Sequence, residues 1–189
     1  MIAAVVLAAG LARRMGRQKL LLALQGKAVV RWSVEAVLSH VDEVVVVTGH
    51  EAADVRSALA DLPVRFVHNT RPEAGQGSSI AVGVAALTPT TEAVLIVLGD
   101  QPQVPPLVIP ALLRAFRRGG AAIVTPLYRG IQGTPVVFGA KVFTELVVLT
   151  GDGGARTVVR AQPERVREVP FELPMPDDVD TPEDYARLL

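Results

Sequence analysis

The sequence predicts a three-layer α/β fold with a mostly parallel central sheet, built as one domain over its 189 residues. Apolar runs alternate along the chain with amphipathic helical patterns, which is the order expected for repeated strand–helix–strand units. The runs at 45–47 and 94–97 are apolar at every position. Such runs are typical of strands that are covered on both faces, as in parallel sheets.

The strands are the short apolar and β-branched runs, in order Ile2–Leu7, Glu43–Thr48, Val64–His68, Ala93–Leu98, Ala121–Thr125, Pro135–Phe138 and Arg165–Val169. The helices are the segments between them with helical spacing, namely Val29–Leu38, Ala53–Leu59, Ser78–Ala86, Leu107–Arg118, Ala140–Leu149 and Ala155–Ala161. Ser78 is expected to cap the third helix. A last helix is expected after Thr181, a favoured N-cap, with Pro182 in its first turn.

Composition excludes several classes of protein. Lys and Arg number 19, as do Asp and Glu, so the formal net charge is zero and the global basic footprint of a nucleic-acid binder is missing. The chain has no cysteine, which excludes disulfides and thiolate metal sites. The apolar run at the N-terminus is too short for a signal peptide or a membrane span. We therefore expect a cytoplasmic protein with neither a nucleic-acid nor a membrane partner.

The first strand runs into a loop of small residues followed by four cations. The loop is Ala8-Ala9-Gly10, and the cations are Arg13, Arg14, Arg17 and Lys19. Small residues let a backbone approach a ligand closely, and clustered cations favour a multiply charged anion such as a nucleoside triphosphate. The spacing is neither that of Walker A nor that of the dinucleotide-binding turn. The alternative is an ordinary connection with a solvated basic face.

From Leu7 through Arg14-Met15-Gly16 to Lys19, the sequence resembles the signature L-A-A-G-x-S-x-R-M-G-x-x-K. This is the signature of the MobA/MocA-like nucleotidyltransferases, the guanylyl- and cytidylyltransferases that act on molybdopterin. The resemblance implies a Rossmann-like nucleotidyltransferase fold, with the loop and Lys19 binding phosphates and Arg14 stabilising pyrophosphate. Ala12 stands where the family commonly has Ser, so that hydroxyl is absent.

Two aspartates are candidate metal ligands. Asp100 follows a buried strand in Leu98-Gly99-Asp100-Gln101-Pro102, a position suited either to a hard cation or to closing a turn. Asp180, with Asp178 beside it, precedes Thr181 and suits either a metal or the N-terminal end of a helix dipole. The first string resembles the family motif G-D-Q-P, and the second its D-x-D-T-P segment. The resemblance implies that Asp100 and Asp180 bind Mg²⁺ or Mn²⁺ and that Asp100 is catalytic together with Lys19 and Arg14.

Two further loops are candidate binding segments. The segment from His68 to Ser79 resembles a family stretch beside the base, which implies nucleotide contacts at Asn69, Gly77, Ser78 and Ser79. The alternative is a plain connection with a capped helix. The segment Gly130–Pro135 resembles G-x-x-G-H-P with Thr134 in place of His, and Gly151–Arg156 resembles G-D-x-G-A-R. The resemblance implies acceptor contacts at Gly133, Thr134 and Arg156, and the alternative for Arg156 is a surface pair with Asp152.

The expected reaction moves CMP from CTP onto a phosphate-bearing acceptor and releases pyrophosphate, because the loop resembles the cytidylyl branch, in which Ala9 replaces a Gly of the guanylyl branch. The resemblance implies a molybdopterin-type acceptor and a molybdenum hydroxylase as the recipient of the product. Guanylyl transfer, transfer to a sugar phosphate or methylerythritol phosphate, and a non-catalytic chaperone for a molybdenum hydroxylase remain the alternatives.

Overall fold

The structure, a computed structural model, describes residues 1–10 and 18–189. Its strands are β1 (Ile2–Ala8), β2 (Ala23–Leu24), β3 (Lys27–Ala28), β4 (Glu43–Thr48), β5 (Arg65–His68), β6 (Ala93–Leu98), β7 (Ile123–Tyr128), β8 (Ile131–Gln132), β9 (Val136–Gly139) and β10 (Val166–Phe171). Its helices are α1 (Val29–Leu38), α2 (Ala52–Ala58), α3 (Gln76–Ala85), α4 (Val108–Arg117), α5 (Phe143–Leu146), α6 (Arg156–Ala161) and α7 (Pro182–Leu188).

The main sheet has the strand order β10-β7-β9-β6-β1-β4-β5, and β8 pairs with the C-terminal end of β7. β1 pairs in parallel with both β4 and β6, β4 with β5, and β7 with β10. β9 runs antiparallel between β6 and β7. The predicted α/β class with a mostly parallel sheet is therefore confirmed.

Side chains on the two faces of the sheet form two separate cores. On one face, alternate residues of β1 such as Ala4 and Val6 pack against α1, α2 and α4. On the other face, Val5 and Leu7 pack against α3, α5 and α6. All seven residues of β1 are buried, as the apolar runs predict for a strand covered on both sides. The three layers are thus helices, sheet and helices.

A third, smaller core packs the segment of β2 and β3 and the first residue of α1 against the C-terminal segment. Leu22, Leu24 and Val29 pack against Val179 and Leu188. The hairpin of β2 and β3, which follows the N-terminal loop, therefore supports α7 and the segment just before it. This contact brings Asp180 to the part of the fold where Lys19 lies.

Several predicted boundaries are wrong for identifiable reasons. α3 begins at Gln76 with Gly75 as its N-cap, so Ser78 lies inside the helix and donates a hydrogen bond to the Gly75 carbonyl. The predicted helix over 140–149 is a 3-10 turn followed by the short α5. By contrast, Thr181 caps α7 as predicted, with Pro182 in the first turn.

The two hairpins were missed because their strands are only a few residues long. β7 continues through Pro126 to Tyr128 and turns into β8 at Arg129 and Gly130, whose φ angles are 45° and 85°. Positive φ at both central residues is the type I′ geometry that suits the twist of a tight hairpin.

Among the described residues, no helix is long and apolar enough to cross a membrane.

Gly83 allows α3 to lie directly on the sheet. A Cβ at this position would lie 2.4 Å from Val5 Cγ1 and 2.8 Å from Val47 Cγ2. We expect Gly83→Ala to lower the free energy of unfolding by about 1–3 kcal/mol, since overpacking outweighs the gain in helix propensity. Urea denaturation measures the change. Gly10→Ala, where an added Cβ meets no atom of residues 1–10 and 18–189 within 4 Å, is the control. Equal stability of the two variants would contradict this close packing.

Candidate active site

The candidate site lies at the carboxyl edge of the parallel strands. In the main sheet, β4 and β5 lie on one side of β1 and β6 lies on the other. The chain therefore reverses its direction of winding between β1 and β6. In open α/β sheets, ligands bind outside the strand ends at such a switch point. Lys19, which follows β1 in the chain, and Asp100 after β6 meet there.

Lys19 bridges the two predicted metal ligands. Its Nζ donates to Asp100 Oδ2 at 2.5 Å and to Asp180 Oδ1 at 2.6 Å. The side chains of Lys19, Asp100 and Asp180 are 11 %, 21 % and 43 % exposed. Residues that stand 81 and 161 positions from Lys19 in sequence therefore converge on one point.

Asp100 is held by a loop packed tightly on β1. The amide of Gly99 donates to the Leu7 carbonyl at 3.0 Å, and a Cβ at Gly99 would lie 2.7 Å from the same oxygen. The buried Ser33 hydroxyl of α1 is placed to donate to the carbonyls of Gly99 and Gln101 at 3.2 Å. Glycine before Asp100 is therefore a steric requirement.

Asp180 is held by the start of α7. Val179 is fully buried, and its amide donates to the Asp100 carbonyl at 3.0 Å. Asp184 Oδ2 accepts from the amides of Asp180 and Thr181, while Thr181 caps the Asp184 amide. The backbone of Asp180 is thus fixed by a capping box, which leaves its carboxylate directed at Lys19.

The charges around Lys19 favour a cation. Burial opposes its ammonium charge, but the charges and hydrogen bonds of Asp100 and Asp180 outweigh this and raise the pKa of Lys19 above its usual value. Burial of its carboxyl and the charge of Asp100 raise the pKa of Asp178, although the outer side of this residue stays exposed. Two carboxylates contact the Lys19 ammonium and Asp178 lies close enough to feel its charge, so these four described residues carry an excess of negative charge.

The donor set fits a hard divalent cation. Asp100 and Asp180 each direct an oxygen at one position, and oxygen is the ligand that Mg²⁺ and Mn²⁺ prefer. Within residues 1–10 and 18–189, acidic and histidine side chains do not gather in threes in a geometry able to hold a metal ion. Two protein carboxylates completed by phosphate and water are usual for Mg²⁺.

The Asn69 loop is held by its own side chains. Asn69 is 3 % exposed, and its amide group donates to the hydroxyls of Ser78 and Ser79 at 2.9 and 3.0 Å. Its Oδ1 accepts from the Arg71 amide. The side chains of Asn69 and Ser79 therefore shape the loop, and their contact with a base stays a prediction.

Gly77 lies under the 150–154 loop, as does Gly75. The Gly77 amide donates to the Gly151 carbonyl at 2.9 Å, and a Cβ at Gly77 would lie 2.8 Å from backbone atoms of Thr150. The same loop leads to the exposed Arg156, the first residue of α6. The predicted nucleotide loop and one predicted acceptor residue are thus neighbours.

Gly133 and Thr134 precede the antiparallel β9, so they lie at the same edge as Asp100. Thr134 Oγ1 donates to Gln101 Oε1 at 2.5 Å, and the Tyr128 hydroxyl donates to the Thr134 carbonyl at 2.9 Å. The structure thereby brings two of the three predicted acceptor residues next to the Asp100 loop.

The loop after β1 is described through Gly10; Arg14 and Ala12 lie outside the described residues. Leu7, Ala8 and Ala9 are at most 9 % exposed. A Cβ at Gly49 would lie 2.8 Å from the Ala9 carbonyl oxygen and 3.2 Å from its Cβ. Ala9 is therefore packed on Gly49, and its contact with a base stays a prediction.

Sequence reasoning missed the residues that support the aspartates. Ser33, 1 % exposed, binds the Gly99 carbonyl beside Asp100, and Gln101, 3 % exposed, binds Asp178 two residues before Asp180. The only signal for Ser33 was a hydroxyl on the apolar face of α1. Asp184 completes a Thr181-x-x-Asp184 pattern, a variant of the capping box.

Comparison with known proteins agrees with this geometry. Residues 4–166 match the family model described as the MobA-like NTP transferase domain. Purine catabolism protein PucB of Bacillus subtilis is 32 % identical over 96 % of this chain and 92 % of its own. Molybdenum cofactor cytidylyltransferase of Escherichia coli is 26 % identical over 70 % of this chain and 67 % of its own.

Solved structures with a similar fold cover almost the whole chain. Rv0371c of Mycobacterium tuberculosis superposes with a TM-score of 0.89 at 32 % identity, covering 100 % of this chain and 97 % of its own. A second structure of Rv0371c, in complex with manganese, has a TM-score of 0.86 at 31 % identity and the same coverage.

Replacing Lys19 with methionine should expose the repulsion between Asp100 and Asp180. We expect Lys19→Met to lower the free energy of unfolding by about 1–2 kcal/mol, less than for a fully buried pair because Asp180 keeps solvent contact. Added Mn²⁺ should then raise the melting temperature more in the variant than in the wild type, because the ammonium no longer competes for the carboxylates. Lys27→Met, which breaks a half-exposed pair with Glu35, is the control. An equal rise in melting temperature with Mn²⁺ in all three proteins would contradict the idea that the Lys19 ammonium and the ion occupy the same position between Asp100 and Asp180.

The cap of α7 can be tested separately. Thr181→Ala removes the hydroxyl that accepts from the Asp184 amide at 3.1 Å. We expect a loss of about 1 kcal/mol in the free energy of unfolding, with Thr181→Ser close to wild type. Thermal and urea denaturation provide the measurement, and wild-type stability of Thr181→Ala would show that the cap contributes nothing.

Proposed function

The chain belongs to the family of MobA-like NTP transferase domains and is a nucleotidyltransferase, and from this premise we propose that it transfers the CMP moiety of CTP to a molybdopterin-type acceptor. The observation that carries the proposal is the bridge from Lys19 to Asp100 and Asp180 at the strand switch point. It joins a phosphate-binding cation to two ligands for a divalent ion. A non-catalytic chaperone would need neither carboxylate.

Asp100 and Asp180 would hold Mg²⁺ or Mn²⁺, and the manganese complex of the related Rv0371c supports this assignment. When bound, such an ion neutralises phosphate charge and helps to align the attacking and leaving oxygens. The excess of negative charge among the described residues Lys19, Asp100, Asp178 and Asp180 favours its entry. Lys19 would then exchange its carboxylate partners for phosphate oxygens of the nucleotide, which keeps its ammonium neutralised throughout.

The reaction needs no covalent bond to the protein. A phosphate oxygen of the acceptor attacks the α-phosphorus of CTP, a new P–O bond forms, and the bond to the β-phosphate breaks with its electrons leaving on pyrophosphate. Lys19 and the backbone of Ala8–Gly10 would bind the triphosphate and stabilise the charge that develops on it. Arg14 is proposed to stabilise the pyrophosphate.

The choice of CTP is supported by the Leu7–Gly10 sequence and by the relationship to a cytidylyltransferase. Ala9 is packed against Gly49, so the added methyl would fix the loop over the base. The segment that holds Asn69, Gly77, Ser78 and Ser79 would provide the opposite wall. Discrimination through one methyl group is worth about 1–3 kcal/mol, which would appear as a measurable difference in kcat/KM between CTP and GTP.

The acceptor would lie against Gly133 and Thr134, with Arg156 reaching it from α6. A phosphate can be held bidentately by an arginine at a helix start. A molybdenum hydroxylase would receive the product. Guanylyl transfer and transfer to a sugar phosphate are the competing outcomes, and the relationship to PucB over almost the whole chain makes the acceptor the first thing to measure.

The proposal is tested by pyrophosphate release with CTP, GTP, UTP and ATP, each with molybdenum cofactor as acceptor and Mg²⁺ present. We expect CTP to give the highest kcat/KM. A higher kcat/KM with GTP would overturn the choice of CTP and favour guanylyl transfer. Absence of turnover with every nucleotide and this acceptor would overturn it.

Asp100→Asn and Lys19→Met should lower kcat by at least ~10²-fold, because the first weakens the hold on the divalent ion and the second removes a cation that stabilises the charge on the triphosphate. Asp177→Asn, an exposed carboxylate three residues before Asp180, is the matched control. Circular dichroism confirms that the variants are folded. Near wild-type turnover of either site variant would remove the role assigned to that residue.

A further inference from the structure

We propose that Gln101, Thr134 and Asp178 form a hydrogen-bond relay that leaves the Thr134 hydroxyl able only to accept a hydrogen bond from the acceptor substrate. The part of the acceptor that binds there is then a hydroxyl or amino group, and the acceptor phosphate binds elsewhere. The inference rests on the proposed function in one respect, namely that the acceptor lies against Thr134.

Gln101 joins two segments of the site. It is 3 % exposed, and its Nε2 donates to Asp178 Oδ1 at 2.7 Å. Its Oε1 accepts from Thr134 Oγ1 at 2.5 Å. One side-chain amide therefore connects the loop before β9 to the segment that carries Asp180.

The direction of the relay follows from the chemistry of its members. A carboxylate only accepts hydrogen bonds, so the nitrogen of the Gln101 amide must face Asp178. The amide oxygen then faces Thr134, and it too only accepts. The single proton of the Thr134 hydroxyl is consequently used towards Gln101, which leaves oxygen lone pairs for any ligand.

The carbonyls of Gly133 and Thr134 are already bound within the protein. The Gly133 carbonyl accepts from the Thr125 hydroxyl at 3.3 Å, and the Thr134 carbonyl accepts from the Tyr128 hydroxyl at 2.9 Å. Thr134 keeps part of its surface exposed, so its hydroxyl oxygen is the polar atom this side chain offers. The carboxylates of Asp100 and Asp178 nearby also repel an anionic group.

The direction of the relay can be measured without substrate. In ¹H–¹⁵N spectra, the Nε2 protons of Gln101 are assigned by their loss in Gln101→Met. We expect Asp178→Ala to shift these resonances upfield and Thr134→Val to shift them less, because the nitrogen donates to Asp178 while Thr134 contacts the amide oxygen. A larger shift in Thr134→Val would show the opposite direction. Equal shifts in both variants, or none in either, would also overturn the relay.

The consequence for specificity is measured with molybdenum cofactor and CTP. We expect Thr134→Val to raise KM for the acceptor roughly tenfold, with kcat and KM for CTP unchanged and with Thr134→Ser restoring wild-type values. An unchanged acceptor KM, or no rescue by Ser, would overturn the specificity role. If the wild-type protein does not use this acceptor, the proposed function fails, and the spectra still decide the direction of the relay.

Discussion

The site depends on one electrostatic contact, the ammonium of Lys19 between Asp100 and Asp180. This contact ties the segment after β1 to the loop after β6 and to the start of α7. Two carboxylates this close would repel each other without a cation between them. Positive charge at this point therefore stabilises the arrangement, first from Lys19 and, in the proposed function, from a divalent ion together with substrate.

The fold makes this contact possible through packing far from the charges. β1, buried on both faces, places its carboxyl end in the middle of the sheet. Gly99 lets the Asp100 loop lie on β1, and the core of Leu22, Leu24, Val179 and Leu188 brings Asp180 to the same edge. The aspartates are thus positioned by steric and apolar constraints before any ligand is bound.

Much of this arrangement could be predicted from the sequence. The apolar runs predict the main strands, and the motifs at Asp100 and Asp180 indicate two candidate metal ligands whose carboxylates the fold brings together. The Gln101 amide could not be predicted, because its partners, Thr134 and Asp178, come from segments that meet only in the folded chain. Ser78 was assigned to a helix cap because serine favours that position, yet Gly75, with a φ of 91°, occupies it. The contacts of Lys19 were also unforeseen, since the same carboxylates suit a metal ion and an ammonium equally well.

The most direct test of this account is a crystal structure of the protein with CTP and Mn²⁺, with the ion located by its anomalous scattering. The account requires one anomalous peak bound by oxygens of both Asp100 and Asp180, with the Lys19 ammonium moved from the carboxylates to the triphosphate. An ion bound away from these two aspartates, or Lys19 still bridging them while CTP is in place, would contradict it.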